Sequence, residues 1–246
     1  MTVQDNTTSY AASEYDSHVG QTIPYYSAFH EEVFHFIRAV AGDPEQWLDT
    51  GCGTGTMVRK ALDCFPRTRF TLADPSEAML EQARLKFDSS RNARVRILPA
   101  AAGSAELSPA YDAHFNVVTA IQCHHYLKRN ERRDAVEACC HMLKPGGLFL
   151  AFENIRPSSD IGVEFGKRYW LAYQIRNGKS EEEARGPIER FDWNYFPITV
   201  AEHLELLREA GFADAGLLWF SYMQAGFWAV RSKEHMKAQV AEGAGQ

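Results

Sequence analysis

No run of apolar residues in this chain approaches the ~20 needed to cross a bilayer, so no membrane-spanning segment is expected. Residues 1–13 are polar and lack a charged-then-apolar pattern, which argues against a secretory leader or an anchor. Cysteine is scarce and odd in number, five without regular spacing. That excludes a disulfide framework and points to free thiols in a reducing cytoplasm. An excess of basic residues is also missing. The formal net charge is −6, which argues against the broad basic face that nucleic acid needs. The local cations Arg91, Arg94 and Arg96, then Lys128, Arg129, Arg132 and Arg133, read as solvated surface charge. There are no internal repeats and no low-complexity segments.

What the chain does have is material for a core. Of its 246 residues, 45% are hydrophobic and 12% aromatic, which suits one α/β domain of the larger kind. The expected division is a flexible leader over residues 1–22 and a single domain over 23–246, with residues 155–199 as an insert.

The run Trp47-Leu48-Asp49-Thr50-Gly51-Cys52-Gly53-Thr54-Gly55 is a short apolar strand that ends in an acid and enters a glycine-rich turn. Phe70-Thr71-Leu72-Ala73-Asp74 is a second strand ending in an acid. A nucleotide-type cofactor needs this arrangement. Glycine lets the backbone approach a ligand closely, and a carboxylate after the next strand can accept both ribose hydroxyls. A dinucleotide fingerprint, G-x-G-x-x-G, would require glycine at position 56, where Thr56 stands.

Along the chain, Pro24 and the spacing of Phe29, Val33, Phe36, Ile37 and Val40 predict a helix over 25–40, with Pro24 at its start. Strands are expected at 46–49, 69–73, 95–99, 115–121 and 148–152, the fourth apolar enough to be buried on both faces. Helices fall between them, one capped by Ser76 and one over about 130–143. This alternation implies a parallel sheet with right-handed crossovers. Ligands bind outside the carboxyl ends of such strands, where Asp49, Asp74, Gln122 and Glu153 fall. After the fifth strand come two expected helices, from about 161 to 177 and from a capping box at Ser180-Glu181-Glu182-Glu183. A further capping box at Thr199 opens a helix that Gly211 ends, and residues 217–222 and 227–230 form a hairpin around Gly226.

The pattern Asp49-x-Gly51-x-Gly53-x-Gly55, with Asp74 and the Lys144-Pro145-Gly146-Gly147 turn, resembles the class I S-adenosylmethionine-dependent methyltransferases. The resemblance implies a Rossmann-like doubly wound seven-stranded sheet, mostly parallel with a reversed last strand, plus an N-terminal helix and a helical lid over residues 155–199. It implies S-adenosyl-L-methionine as cofactor and S-adenosyl-L-homocysteine as product. The cofactor-binding residues expected are Asp49 near the ammonium group, Gly51, Cys52, Gly53, Gly55, Asp74 on the ribose, Pro75, Met79, Ala101, Ala102, Gln122 and Tyr25. The chain departs from the pattern after the third strand, where relatives carry an aspartate and this sequence has Ala100-Ala101-Ala102. The adenine contact then comes from backbone amides or Ser104.

His124 or His125, leaving the fourth strand, could act as general base, since an imidazole titrates near the operating pH. The bland alternative is a histidine bonded to neighbouring backbone, and adjacent residues cannot both point into one site. Substrate-binding candidates are Tyr26, Glu153, Tyr169, Trp170, Arg190 and Trp193, since a lid over a small acceptor wants aromatic walls and a cation. The group Cys123-His124-His125 with Cys139-Cys140-His141 fits no zinc spacing, so no metal is expected. Aromatic surface in the insert could also serve a homodimer.

The final third, Gly178-Lys179-Ser180-Glu181-Glu182-Glu183, then Glu202-His203-Leu204 through Gly226-Phe227, is similar to the tail of the carboxy-S-adenosylmethionine synthases. That family acts in modifying the wobble uridine of tRNA. The similarity implies an arginine after the fifth strand that holds a carboxylated cofactor, with Arg185 and Arg190 both near the position. The expected function is methyl transfer to a small molecule. The alternatives are that synthase-like activity and a non-catalytic cofactor-binding protein.

Overall fold

The computed structural model describes residues 8, 10–87, 93–100 and 104–233. Helices α1 (Tyr15–Thr22) and α2 (Tyr26–Ala41) precede β1 (Gln46–Thr50), α3 (Thr56–Cys64), β2 (Arg69–Ala73), α4 (Glu77–Lys86) and β3 (Val95–Ile97). The short α5 (Ser104–Leu107) leads to β4 (Phe115–Ile121), α6 (Arg129–Met142) and β5 (Leu143–Asn154). Then come α7 (Asp160–Arg176), α8 (Glu181–Glu189), α9 (Val200–Glu209), β6 (Phe212–Ser221) and β7 (Gln224–Arg231).

The seven strands run in the order β3-β2-β1-β4-β5-β7-β6. Strands β1 to β5 pair in parallel, and β7 is antiparallel to both of its neighbours. The α/β sheet with one reversed strand is therefore present. Adjacent β4 residues serve opposite faces, as strand geometry requires. Val118 joins Leu48, Phe149 and Phe227 in one core, and Val117 joins Phe29, Trp47, Leu150 and Phe152 in the other.

Several expectations change in detail. Residues 15–22 are helical rather than part of a flexible leader. Only Val19 and Thr22 of α1 are buried, so the helix has little apolar stripe and is held by specific bonds. Thr54 and Thr56 Oγ1 donate to Asp16 Oδ1 at 2.7 and 2.8 Å, and Lys86 pairs with the same carboxylate. Pro24 does not start α2, because Tyr25 intervenes with a left-handed φ of 59°. Strand β5 begins at Leu143, ahead of the glycines expected to precede it.

Arg132 and Arg94 are not solvated charges. Arg132 is buried and donates to the carbonyls of His124, Leu127 and Phe196. Arg94 donates to those of Leu62, Phe65 and Thr68. Cys139 and Cys140 do line the buried side of α6.

The hairpin turns at Tyr222 and Met223, not at Gly226. Gly226 lies within β7 opposite Phe152, where an added Cβ would come within 2.5 Å of the Phe152 ring. Gly226→Ala is therefore expected to overpack the core and lower stability by about 1–3 kcal/mol. Urea denaturation checks this, and an unchanged midpoint would contradict the packing.

Candidate active site

The carboxyl ends of β1, β2, β4 and β5 meet above the sheet, where three cavities adjoin. The first is a groove of about 210 Å³ between the glycine loop and the segment after β4. At Gly51, with φ 65°, a Cβ would strike Cys123 at 2.4 Å, so only glycine lets these two segments close. At Gly53, with φ 54°, a Cβ would meet nothing within 4 Å, so the backbone there is open to a ligand. Asp74 shapes the loop. Its Oδ2 accepts from Gly53 N at 2.8 Å and its Oδ1 from Ser76 N at 2.9 Å. Ser76 in turn caps α4 by accepting from Met79 N.

Asp49, at the end of β1, is buried and accepts one hydrogen bond, from Thr119 Oγ1 at 2.8 Å. Burial pushes its carboxyl up to about 7, Thr119 pulls it back in part, and the neighbouring Asp74 charge adds to the rise. Two carboxylates held close in a desolvated groove suit a positively charged ligand. Cys52 lines the same groove, and burial beside Asp74 and Asp49 raises its thiol well above the usual range, so it is no nucleophile. Pro75, Met79, Gln122 and Tyr26 also line the groove, Tyr26 on this side rather than among substrate contacts.

A cleft of about 320 Å³ continues past Gly51 and Asp74, walled by Ser104, Leu107, Cys123, His124 and Leu127. Ala101 and Ala102 lie outside the described residues. On the other side, a cavity of about 50 Å³ is lined by Gln122, His125, Asn154, Trp170, Arg190 and Tyr195, among others. Tyr15, Gln122 and Tyr126 line both this cavity and the groove, and burial raises the Tyr126 phenol to about 12.

Glu153 lies beneath this wall and lines none of the three cavities. Its oxygens accept from the backbone of His124 and His125 at 3.1 and 3.0 Å and from His125 Nδ1 at 2.6 Å. Burial would raise its carboxyl, but the His125 hydrogen bond and charge, with His124 and His203, bring it down to about 2. Glu153 is thus a positioning residue rather than a substrate contact. His125 Nδ1 also lies 3.5 Å from Asn154 N, but the 2.6 Å bond to an ionised carboxylate places the proton on Nδ1. The two histidines part as adjacent residues must: His125 faces the small cavity, while His124 lines the cleft and stacks on Phe149.

Tyr25, Tyr169 and Trp193 stand outside the site. Tyr25 is about half exposed, set against Trp219 and Tyr222 on the surface. Tyr169 is exposed and stacks on Tyr222 at 4.0 Å, and Trp193 is 72% exposed. Trp170 is buried, and its indole donates to Thr22 O at 2.6 Å, fastening α7 to α1. Sequence reasoning missed His30, Tyr126 and Asn154. Asn154 could have been found by the strand-end rule, one residue past Glu153. Among the described residues no group of three His, Cys, Asp or Glu side chains could hold a metal, and no helix is long and apolar enough to cross a membrane.

Residues 48–149 match the family described as "Methyltransferase domain", a span that holds the glycine loop, Asp74 and the segment after β4. With the sheet order and the groove, that match supports a class I S-adenosylmethionine-dependent methyltransferase. Among its relatives is a carboxy-S-adenosyl-L-methionine synthase of Trichodesmium erythraeum, 24% identical over 81% of this chain and 78% of that protein. A ubiquinone/menaquinone biosynthesis C-methyltransferase of Desulfotalea psychrophila is 28% identical over 80% of this chain and 78% of its own. The fold also matches the Burkholderia thailandensis 1,6-didemethyltoxoflavin-N1-methyltransferase, solved with 1,6-didemethyltoxoflavin and S-adenosylhomocysteine. That match has a TM-score of 0.59 at 20% identity and covers 90% of this chain and 87% of that one. The cofactor of this methyltransferase is S-adenosylmethionine, and the residues present fit it: a groove lined by two acids, Asp49 and Asp74, suits a ligand that carries both cationic groups and ribose hydroxyls.

The raised Asp49 pKa has a defined sign. Its contribution to stability is fully present below the unfolded value near 4 and is lost as pH rises through about 7. Asp49→Asn should therefore stabilise the ligand-free protein increasingly from about pH 5 to about pH 8, by an amount on the order of a few kcal/mol. The same variant should weaken S-adenosylmethionine binding. Thermal melts across that range check the first effect, and a gap that fails to widen with pH would contradict the assignment.

Proposed function

We propose that this methyltransferase acts on a small anionic acceptor held in the cavity beside the cofactor groove. The observation that carries the reading is that Arg190 and His125 line one small cavity, which shares Gln122 and Tyr126 with the groove. The alternative arginine, Arg185, is exposed and does not line this cavity. When bound, S-adenosylmethionine supplies a methyl group activated by its positive sulfur. Asp49, Asp74 and the backbone of Gly51 to Gly55 hold it, with the cleft beyond Ser104 open to its adenosine end. Residues 155–199 act as the lid: Trp170 and Tyr195 exclude water, and Arg190 orients the anion.

His125 is the proton acceptor in this scheme. With Nδ1 committed to Glu153, its lone pair is on Nε2, where Asn154 Nδ2 approaches at 3.4 Å; a proton taken there requires Asn154 to turn away and is held against a buried carboxylate. Such assistance is worth roughly 10²- to 10⁴-fold for an acceptor that must lose a proton, and little for one already nucleophilic. The buried free thiols Cys139 and Cys140 support a reducing, cytoplasmic setting.

A second reading is favoured by the size of the cavity. A space of about 50 Å³ beside Arg190 has room for a group like the carboxylate of a carboxymethyl sulfonium, and the Trichodesmium relative is named for that cofactor. Calorimetric titration of wild type and Arg190→Met separates the two. The methyl-transfer reading expects S-adenosylhomocysteine to bind both proteins within about twofold, and the carboxylated cofactor to bind no tighter than S-adenosylmethionine. A preference of tenfold or more for the carboxylated form, lost in Arg190→Met, would establish the second reading instead. In the methyl-transfer case, His125→Asn should lower turnover and leave cofactor affinity nearly intact.

A further inference from the structure

The wall between groove and cavity contains an acceptor with no donor. Gln122 ends β4 with a left-handed φ of 58°, strained for a residue with a side chain. Its N–H donates to Phe152 O at 2.6 Å, so the residue is fixed in place. The side chain is 8% exposed and lines both spaces. Its Oε1 is buried and has no hydrogen-bond partner among the described residues.

Which end of the Gln122 amide is unpaired follows from Glu153. The Glu153 carboxylate only accepts, so His125 carries a proton on Nδ1, and the neutral imidazole presents its lone pair at Nε2. Asn154 turns Nδ2 towards that lone pair at 3.4 Å, leaving its Oδ1 to accept from Gln224 Nε2. Gln224 Oε1 then accepts from Gln122 Nε2 at 2.7 Å. Reversing one amide alone would set donor against donor or acceptor against acceptor, so the row has one direction. It ends at Gln122 with oxygen outward. A leucine or methionine would fill the place without an unpaired buried oxygen, which makes an incoming N–H or O–H the natural complement.

We propose that Gln122 selects the acceptor substrate. Before any proton passes to His125, Gln122 Oε1 receives an O–H or N–H from a small hydroxy or amino carboxylate, whose carboxylate is held by Arg190. This rests on the reading of the small cavity as the acceptor site. Gln224, Asn154, His125 and Glu153 are positioning residues that keep the oxygen turned inward.

The test is binding, not turnover. Glycolate and propionate differ by a hydroxyl in place of a methyl, and each is titrated by ligand-observed NMR into protein saturated with S-adenosylhomocysteine. Wild type should bind glycolate about tenfold or more tighter than propionate, and Gln122→Met should bring the two within about twofold. Equal binding by wild type, or a preference that survives in Gln122→Met, overturns the role of Gln122 alone. Binding of S-adenosylhomocysteine with no binding of either acid overturns the acceptor-cavity reading beneath it as well. Should Gln122→Met fail to bind S-adenosylhomocysteine, Gln224→Met replaces it. Cutting the row frees the amide to turn, so the preference should fall there, and an unchanged preference overturns the proposal.

Discussion

The buried carboxylate of Glu153 is the interaction on which the turn after β4 and the small cavity beside it depend. Sheet pairing fixes Glu153 at the end of β5, between β4 and β7, and the chain leaving β4 folds over it. Two backbone amides and one imidazole N–H converge on its oxygens. A carboxylate this deep is stable as an anion only because those donors replace water. The consequence spreads outward. The turn after β4 is held, His125 has one tautomer, and the amide row to Gln122 has one polarity. Arg132 grips the same turn from below through carbonyls and reaches Phe196, whose own N–H donates to His125 O at 2.7 Å. The segment after α8 and the turn after β4 are thereby one unit.

The cofactor side follows the opposite electrostatic logic. Glu153 is supplied with donors and sits low, whereas Asp49 is given one hydroxyl and a neighbouring acid, and sits high. A group left in that condition favours whatever brings positive charge. The ligand-free protein bears the cost as reduced stability near and above neutral pH, and binding of a cation relieves it. The N-terminal helix adds a latch, since Asp16 accepts from both threonines of the glycine loop while pairing with Lys86.

Much of the fold was legible because it rests on local signals. The strand-acid-glycine pattern at Asp49 to Gly55, the continuous apolar run of β4 and the capping boxes at Ser180 and Thr199 each carry their own physical reason. The places of Asp49 and Asp74 at the strand ends were legible for the same cause. The second layer was not. Glu153 read as a substrate contact because its place at a strand end is visible in sequence, whereas its burial beneath the β4 turn comes from β7 and is not. Arg132 read as surface charge because a run of cations shows no partner when the carbonyls that satisfy it lie on another segment. Tyr169 and Trp193 were chosen as aromatics in a lid, but helix α7 and the segment after α8 turn them outward, and periodicity in so short an insert does not fix that choice. The helix over Tyr15–Thr22 has no apolar stripe to detect and exists through tertiary bonds.

Native mass spectrometry of the purified protein, with and without added S-adenosylmethionine, tests the central claim most directly. One S-adenosylmethionine or S-adenosylhomocysteine per chain is expected, with occupancy that falls in Asp49→Asn. Protein that stays free of both at millimolar concentrations, while folded by circular dichroism, would contradict the assignment of the groove.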